Sequence, residues 1–384
     1  MRLNRHSKLL MIGSLILVTL LFQFSGAAAE DFPRGLHLSW QNDPATTMTL
    51  MWRSEPGAEG VVEYGVSSEY THSVDSETHG YRYGRTDIFW HTVEITGLEP
   101  NTTYHYRVKT SEPWTSEDYT FKTGIPYGED TFFRVAVITD AHGGYDRQKE
   151  AFAMIKDEDV DFIIGLGDFT DTGNQVEWDL WFASGEGVLS GIPLMAVHGN
   201  HEGNQGTYWD QFAFPGNERW FSMNYGNTHF VFLMAASEPL ALEQVPWLLE
   251  DLQSNDSAWT IAMGHIPIYS SGLNHGSSPY LIQHWAGIFD EYGVSLYLAG
   301  HNHCYERSLP IKADKLDPEG VIYMTHGPVG DKLYSVGNEW WSATTLEGFS
   351  MYSIYSFEGS RIRGTAKTLD GTVVDEFVLE HPGF

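Results

Sequence analysis

From Phe132 to Asp171 the chain reads "FFRVAVITDAHGGYDRQKEAFAMIKDEDVDFIIGLGDFTD", and its rhythm changes twice. "FFRVAVITD" is a continuous apolar run, "YDRQKEAFAMIKDEDV" has the apolar spacing of one helix face, and "DFIIGLGD" is a second apolar run. Strand, helix and strand in that order make an α/β unit. Both strands empty into an aspartate, Asp140 and Asp168. Downstream the same grammar continues, with apolar strands at "PLMAVHGN", "HFVFLMA", "WTIAMGH", "SLYLAGH" and "VIYMTHG" and helical segments at "VPWLLEDLQ" and "PYLIQHWAGIFDEY". The tail alternates around Glu358-Gly359 and Asp370-Gly371, a pattern of antiparallel hairpins.

Upstream the period differs. From Gly35 to about Thr123, short alternating strands are separated by turn residues, which predicts a β-sandwich. Within it "GLEPNTTYHYRV" sets Leu98 and Pro100 just before Tyr104, and resembles the tyrosine corner of fibronectin type III modules. "GIPYGEDT", Gly124 to Thr131, breaks the pattern with Gly, Pro and charge. The expected organisation is a signal at 1–29, a fibronectin type III-like sandwich at 30–124, a linker at 125–131 and an α/β domain at 132–384. With 384 residues, 42% of them hydrophobic, the chain has material for at least one large core.

The first thirty residues read as an export signal. Arg2, Arg5 and Lys8 precede the apolar run Leu9 to Phe24, and Ala27 and Ala29 offer a cleavage site before Glu30. The run falls short of the ~20 residues of a spanning helix, so cleavage is expected, with an uncleaved anchor as the alternative. The destination is secreted, periplasmic or cell-surface. Cleavage makes the chain three charges more negative than its formal −29. Such a surface repels polyanions, which argues against nucleic acid or an anionic membrane as partner. Cys304 is the only cysteine, so no intrachain disulfide can form.

Five apolar runs end in potential metal ligands: Asp140 and His142 in "ITDAH", Asp168 in "GLGDFTD", Asn200 and His201 in "HGNHE", His265 in "MGH", and His301 and His303 in "AGHNH". The C-terminal edges of strands in α/β folds are where distant residues meet. Singly, each is matched by a bland reading: a helix cap, a turn, or a satisfied core histidine. Five together, each at the end of an apolar run, read as one site of hard and borderline ligands.

This set resembles the signature of the calcineurin-like metallophosphoesterases. With the preceding sandwich and "HIPIYSSGLNH…GHNHCYERS", it is most similar to the two-domain purple acid phosphatases. The resemblance spans nearly the whole mature chain. It implies a four-layer αββα sandwich holding two metal ions ~3.5–4 Å apart. Carried over by position, Asp140 and His303 bind the first metal, Asp168 bridges, and Asn200, His265 and His301 bind the second. His201 is implied as a donor to phosphate or to the leaving oxygen, with loop support as the alternative. His275 matches a substrate-side histidine of plant-like members, with a solvent-exposed loop histidine as the alternative.

Two departures stand out. The family carries GDxxY, whose tyrosinate binds ferric iron and gives the colour; this chain has "GDFTD", with Asp171 at the tyrosine position. It also has His142 where the purple enzymes have Gly. In the wider family that histidine is a first-metal ligand, so His142 is expected to replace the phenolate and the site to be colourless. Asp171 is expected to cap a helix or support a ligand, with an approach to the first metal as the alternative. The mixed donors suit Fe, Mn or Zn, and ligand type alone does not choose the pair. Gly276 stands where some plant-like members have another histidine, which bears on substrate contacts.

Glu202 is expected to hydrogen-bond a ligand, and His229 and His326 to be core or rim residues. Cys304 adjoins the site, but as a nucleophile it would need an activating base, and metal-activated hydroxide already fills that role. Asn101-Thr102-Thr103 and Asn255-Asp256-Ser257 are glycosylation sequons. The functional expectation is an exported dinuclear phosphatase that hydrolyses small phosphate monoesters through metal-activated hydroxide. One rival keeps the site and takes diesters or nucleotides. Another is a non-catalytic surface-binding protein with an adhesive sandwich.

Overall fold

The computed structural model describes residues 34–54, 59–110, 115–203 and 207–381. The segment read as an export signal lies outside them. None of the described helices is long and apolar enough to cross a membrane.

Strand alternation in the N-terminal part builds two four-stranded antiparallel sheets. One runs in the order Arg34–Ser39, Thr47–Ser54, Thr86–Thr96, Glu77–Tyr83, and the other His72–Asp75, Gly60–Gly65, Thr103–Thr110, Tyr119–Lys122. Along Thr103–Thr110 every second residue, Tyr104, Tyr106 and Val108, is buried, the period that a half-buried strand imposes. The Tyr104 hydroxyl accepts the Glu99 backbone N–H at 3.0 Å, which ties the turn to the strand.

The α/β part stacks two mixed sheets. The six-stranded sheet runs Leu194–Ala196, Phe162–Gly165, Phe133–Ile138, Met351–Glu358, Arg361–Thr368, Val373–Glu380. Its first three strands are parallel, and the C-terminal hairpins are added antiparallel along Phe133–Ile138. In the seven-stranded sheet, Thr228–Phe232, Trp259–Met263, Leu296–Ala299 and Ile322–Thr325 are parallel neighbours. Val135, Ile164, Tyr355 and Phe357 of the first sheet meet Phe230, Ile261 and Leu298 of the second in a largely apolar layer. Phe133 and Phe357 stack there with ring centroids 4.4 Å apart.

Helices cover the outer faces. Tyr145–Lys156 buries Ala151, Phe152 and Ile155, and Gln175–Ser184 buries Trp178, Trp181 and Phe182. On the other side Glu238–Ser254 packs Ala241, Leu248 and Leu252 with Leu281, Trp285 and Phe289. The segment expected as one helix, "PYLIQHWAGIFDEY", contains a π-helical stretch at Ile282–Ala286 and ends at Gly293, whose φ of 68° is the left-handed stop that glycine takes without cost. The fold is therefore a β-sandwich followed by a four-layer αββα sandwich.

Sandwich and α/β part share one apolar core across Gly124–Thr131. Trp40 packs on Phe162 at 5.6 Å and Trp90 on Phe182 at 5.3 Å, and the Tyr106 hydroxyl donates to the Ser190 carbonyl at 2.6 Å. Four of the molecule's largest fully buried side chains, Trp40, Trp52, Trp90 and Tyr106, belong to the sandwich.

Candidate metal centre

Five parallel strands, three in one sheet and two in the other, point their C-terminal ends to one place. Asp140 and His142 follow Phe133–Ile138, Asp168 follows Phe162–Gly165, and Asn200 and His201 follow Leu194–Ala196. His265 follows Trp259–Met263, and His301 and His303 follow Leu296–Ala299. At these ends the backbone turns sharply: Asp140, His142, Asp168, His301 and His303 all have positive φ, between 43° and 69°. A non-glycine residue in that region costs on the order of 1–3 kcal/mol, and such strain clusters at functional sites. The turns throw consecutive side chains inward instead of letting the strands continue.

Glycine makes the approach feasible. A Cβ on Gly300 would lie 2.1 Å from Thr139 Oγ1 and 2.6 Å from Asp140 Oδ2, and one on Gly199 would lie 2.2 Å from Asp168 Oδ1. The glycines of "GHNH" and "GNHE" are thus spatial requirements of the aspartate loops opposite them.

The donor atoms fall into three overlapping groups: Asp140, His142 and His303; His142, Asp168 and His201; Asp168, His265 and His301. Asp168 Oδ2 lies 3.3 Å from His142 Nε2 and 3.0 Å from His265 Nε2, between the first group and the last. His303 Nε2 and His142 Nε2 lie 3.2 and 3.6 Å from Asp140 Oδ1. Asn200 Oδ1 is 3.1 Å from His265 Nε2, and His301 Nδ1 is 3.2 Å from the same nitrogen. All seven residues expected as ligands therefore converge.

Each group is oriented from behind. Asp140 Oδ2 accepts from Thr139 Oγ1 at 2.7 Å and from the His301 N–H at 2.9 Å, and Asp168 Oδ1 accepts the His201 N–H at 2.8 Å. The Nδ1–H groups of His265 and His303 donate to the carbonyls of Leu166 and Lys332, both at 2.8 Å, which leaves Nε2 of each bare and facing inward. Asp140 Oδ1 and His142 Nε2 are buried without a hydrogen-bond partner. Two orphaned ligand atoms aimed at one point, with a carboxylate oxygen shared between two clusters, fit a pair of cations.

The electrostatics agree. Burial alone would raise the Asp140 carboxyl, but His303 and His142 beside it hold it well below the usual carboxylate range, and Asp168 is lowered likewise by His265 and His142. Against their burial, His142 is pushed up to about 10 by Asp140 and Asp168, and His265 up to about 9 chiefly by Asp168. Such a negative potential attracts cations. His301, driven down to about 3 by burial and by His265, stays in the neutral form that a metal needs.

His201 donates its Nδ1–H to the Asp171 carbonyl at 2.7 Å, and its ring is 4.4 Å from that of His142. His275 is exposed, with its ring 4.2 Å from that of His301. His229 and His326 are buried away from the cluster, bonded to Asn224 and Asp251 and to Ser353 and Tyr355. The Cys304 thiol is pushed up to about 12, chiefly by burial, which is no nucleophile's environment.

Two expectations become specific. Glu202 hydrogen-bonds a ligand residue, Asp168, at the backbone N–H and not at a side chain. Its buried carboxylate accepts the backbone N–H groups of Asp168, Phe169 and Gly199 at 2.9, 2.6 and 2.7 Å, so it clamps the two loops themselves. Of the two roles expected for Asp171, the cap belongs to Asn174, which accepts from Val176 and Glu177, and the support of a ligand is the one present: Asp171 Oδ1 accepts the Nδ1–H of His142 at 3.1 Å. Sequence reasoning missed Lys332 and Tyr334, whose ring stacks on His303 at 4.3 Å and 5°. The only hint was the glycine-rich run "HGPVGDKLY" after an apolar strand.

An αββα scaffold with a carboxylate shared by two ligand clusters defines a metallophosphoesterase, and residues 133–305 match the family model of the calcineurin-like phosphoesterases. Residues 33–123 match the purple acid phosphatase N-terminal domain. Purple acid phosphatase 23 of Arabidopsis thaliana is 30% identical over 75% of this chain and 72% of its own length, and acid phosphatase type 7 of Homo sapiens is 26% identical over 96% of each. A purple acid phosphatase from seeds of yellow lupin, Lupinus luteus, shares the fold, with a TM-score of 0.81 at 21% identity over 91% of this chain and 74% of its own. The chain belongs to the purple acid phosphatase family and is a hydrolase.

Proposed function

We propose that the protein is an exported, dinuclear metal-dependent phosphatase acting on small phosphate monoesters. The observation that carries this reading is the position of Asp168 Oδ2 between the Nε2 atoms of His142 and His265, the place of a bridging carboxylate. In this reading Asp140, His142 and His303 hold the first ion, Asn200, His265 and His301 hold the second, and Asp168 serves both. When bound, such a pair neutralises phosphate charge and lowers the pKa of water enough to make hydroxide available near neutral pH.

The chain's own residues do the rest. His201 lies beside His142 and Asp168 with its Nδ1–H committed to the Asp171 carbonyl, which leaves Nε2 for the substrate, where a proton on it stabilises a phosphate oxygen or passes to the leaving oxygen. His275 stands at the rim beside His301 and contacts the ester. Neutral imidazoles and the Asn200 amide leave net positive charge for a dianion. With Asp171 at the phenolate position and His142 among the ligands, the loaded site is colourless. Residues 1–29 direct export, 30–124 form the sandwich, 125–131 link it, and 132–384 carry the chemistry.

The test compares an aryl phosphate monoester with a bis-aryl diester on metal-loaded protein, with metal analysis of the same sample. Faster monoester hydrolysis and two ions per chain are expected. A much faster diester rate would replace the monoester reading with that of a phosphodiesterase.

A further inference from the structure

The loop after Ile322–Thr325 reaches the first ligand cluster in a way that the ligand set does not require. The Lys332 ammonium is ion-paired with Asp171 Oδ1, and that same oxygen accepts the Nδ1–H of His142 at 3.1 Å. The Lys332 carbonyl accepts the Nδ1–H of His303 at 2.8 Å. Two residues on, the Tyr334 N–H donates to the His303 carbonyl at 3.1 Å while its ring lies flat on the imidazole. Both imidazoles of the first cluster are thus fixed from behind by one residue, His303 directly and His142 through Asp171. Their Nδ1 atoms are committed, so the Nε2 atoms of both face Asp140.

The second cluster is built differently. His265 donates to a neutral carbonyl, that of Leu166, and His301 Nδ1 faces His265 rather than a carboxylate. A carboxylate behind a ligating imidazole fixes its tautomer and raises its donor strength, and loss of such a partner typically weakens metal affinity about 10–100-fold. An ammonium on the far side of that carboxylate holds it in place. Lys332 is half exposed, so its share is smaller than that of Asp171.

We propose that Asp171 and Lys332 are positioning residues for the first metal position and set its affinity apart from that of the second. This rests on the two-metal reading given above. The probe is Mn(II) titrated calorimetrically into metal-depleted protein. In a His301→Ala background, which isolates the first position, Asp171→Ala is expected to weaken Mn(II) binding by about 10–100-fold. Lys332→Met should weaken it less, and Lys332→Arg should restore it. In a His303→Ala background, which isolates the second, Asp171→Ala should leave the constant unchanged. Asp171→Asn, nearly isosteric, serves if the alanine variant loses its fold by circular dichroism. An unchanged first constant in the Asp171 variants, or equal weakening at both positions, overturns the inference. A parent protein that takes up fewer than two Mn(II) overturns the two-metal reading beneath it.

Discussion

The His301 backbone N–H donates to Asp140 Oδ2 at 2.9 Å, across 161 residues of sequence and between two sheets. This bond closes the two strand edges onto each other. It also leaves Asp140 Oδ1 free for a metal. Asp140→Asn keeps an acceptor for the N–H and removes the charge at the first position. The variant should fold, bind one ion fewer by elemental analysis, and lose more in kcat/KM than the about 10–100-fold typical of removing only a ligand's supporting partner.

Asp168 serves both clusters, so its loss should be more severe. Asp168→Ala is expected to abolish stable binding of both ions and hydrolysis together, and Asn200→Ala to reduce both. Metal content and turnover are measured on the same preparation. Unchanged values for both variants would favour a non-catalytic, surface-binding protein.

The missing phenolate can be put back. His142→Gly with Asp171→Tyr recreates the ligand pattern of the coloured relatives. Loaded with ferric iron, the double variant should show a visible charge-transfer band, and the parent is expected to show none. Such a band in the parent contradicts the substitution of His142 for tyrosinate.

Glu202 holds three backbone N–H groups of the aspartate and GNHE loops at 2.9 Å or less. Glu202→Ala leaves these donors buried without partners, each worth about 1–3 kcal/mol. Urea unfolding should show a loss of at least about 3 kcal/mol. Glu202→Gln, which can still accept, should lose less.

Acid lability has a source outside the metal centre. His37 and His91 of the sandwich are both pushed down to about 4, in each case chiefly by burial. Their unfolded value is ~6.5, so the unfolded chain binds more protons between the two values. The stabilising effect is complete above about pH 6.5 and declines as pH falls toward about 4, by about 1.4 kcal/mol per unit of displacement for each group. Urea midpoints measured from pH 7 to 4 should fall, and the fall should be shallower in His91→Gln.

Much of the site was legible because its ligands end apolar runs. A strand that stops on Asp140, Asp168 or His265 announces both where the backbone leaves the sheet and what chemistry it carries there. Glu202 was legible as a supporting residue, but its partners were not. A carboxylate beside a ligand in sequence can equally face a side chain or a backbone amide, and the left-handed turn at Asp168 turned the amides toward it. Asp171 was open between capping and support because nothing local in the sequence shows that Asn174 takes the cap.

By itself, the order of residues determined the α/β succession, the alternating sandwich, the hairpins of the tail and the list of ligands. These depend on local periodicity and on residue chemistry, which are written in the chain. The tertiary structure alone decided that two different sheets bring their parallel edges together and that the C-terminal hairpins extend the first of them. It also decided that sandwich and α/β part share one core through Trp40 and Trp90, and that Lys332 stands behind both His142 and His303. Those facts depend on pairing and packing between segments far apart in the chain, where no local pattern records which partner a side chain will meet.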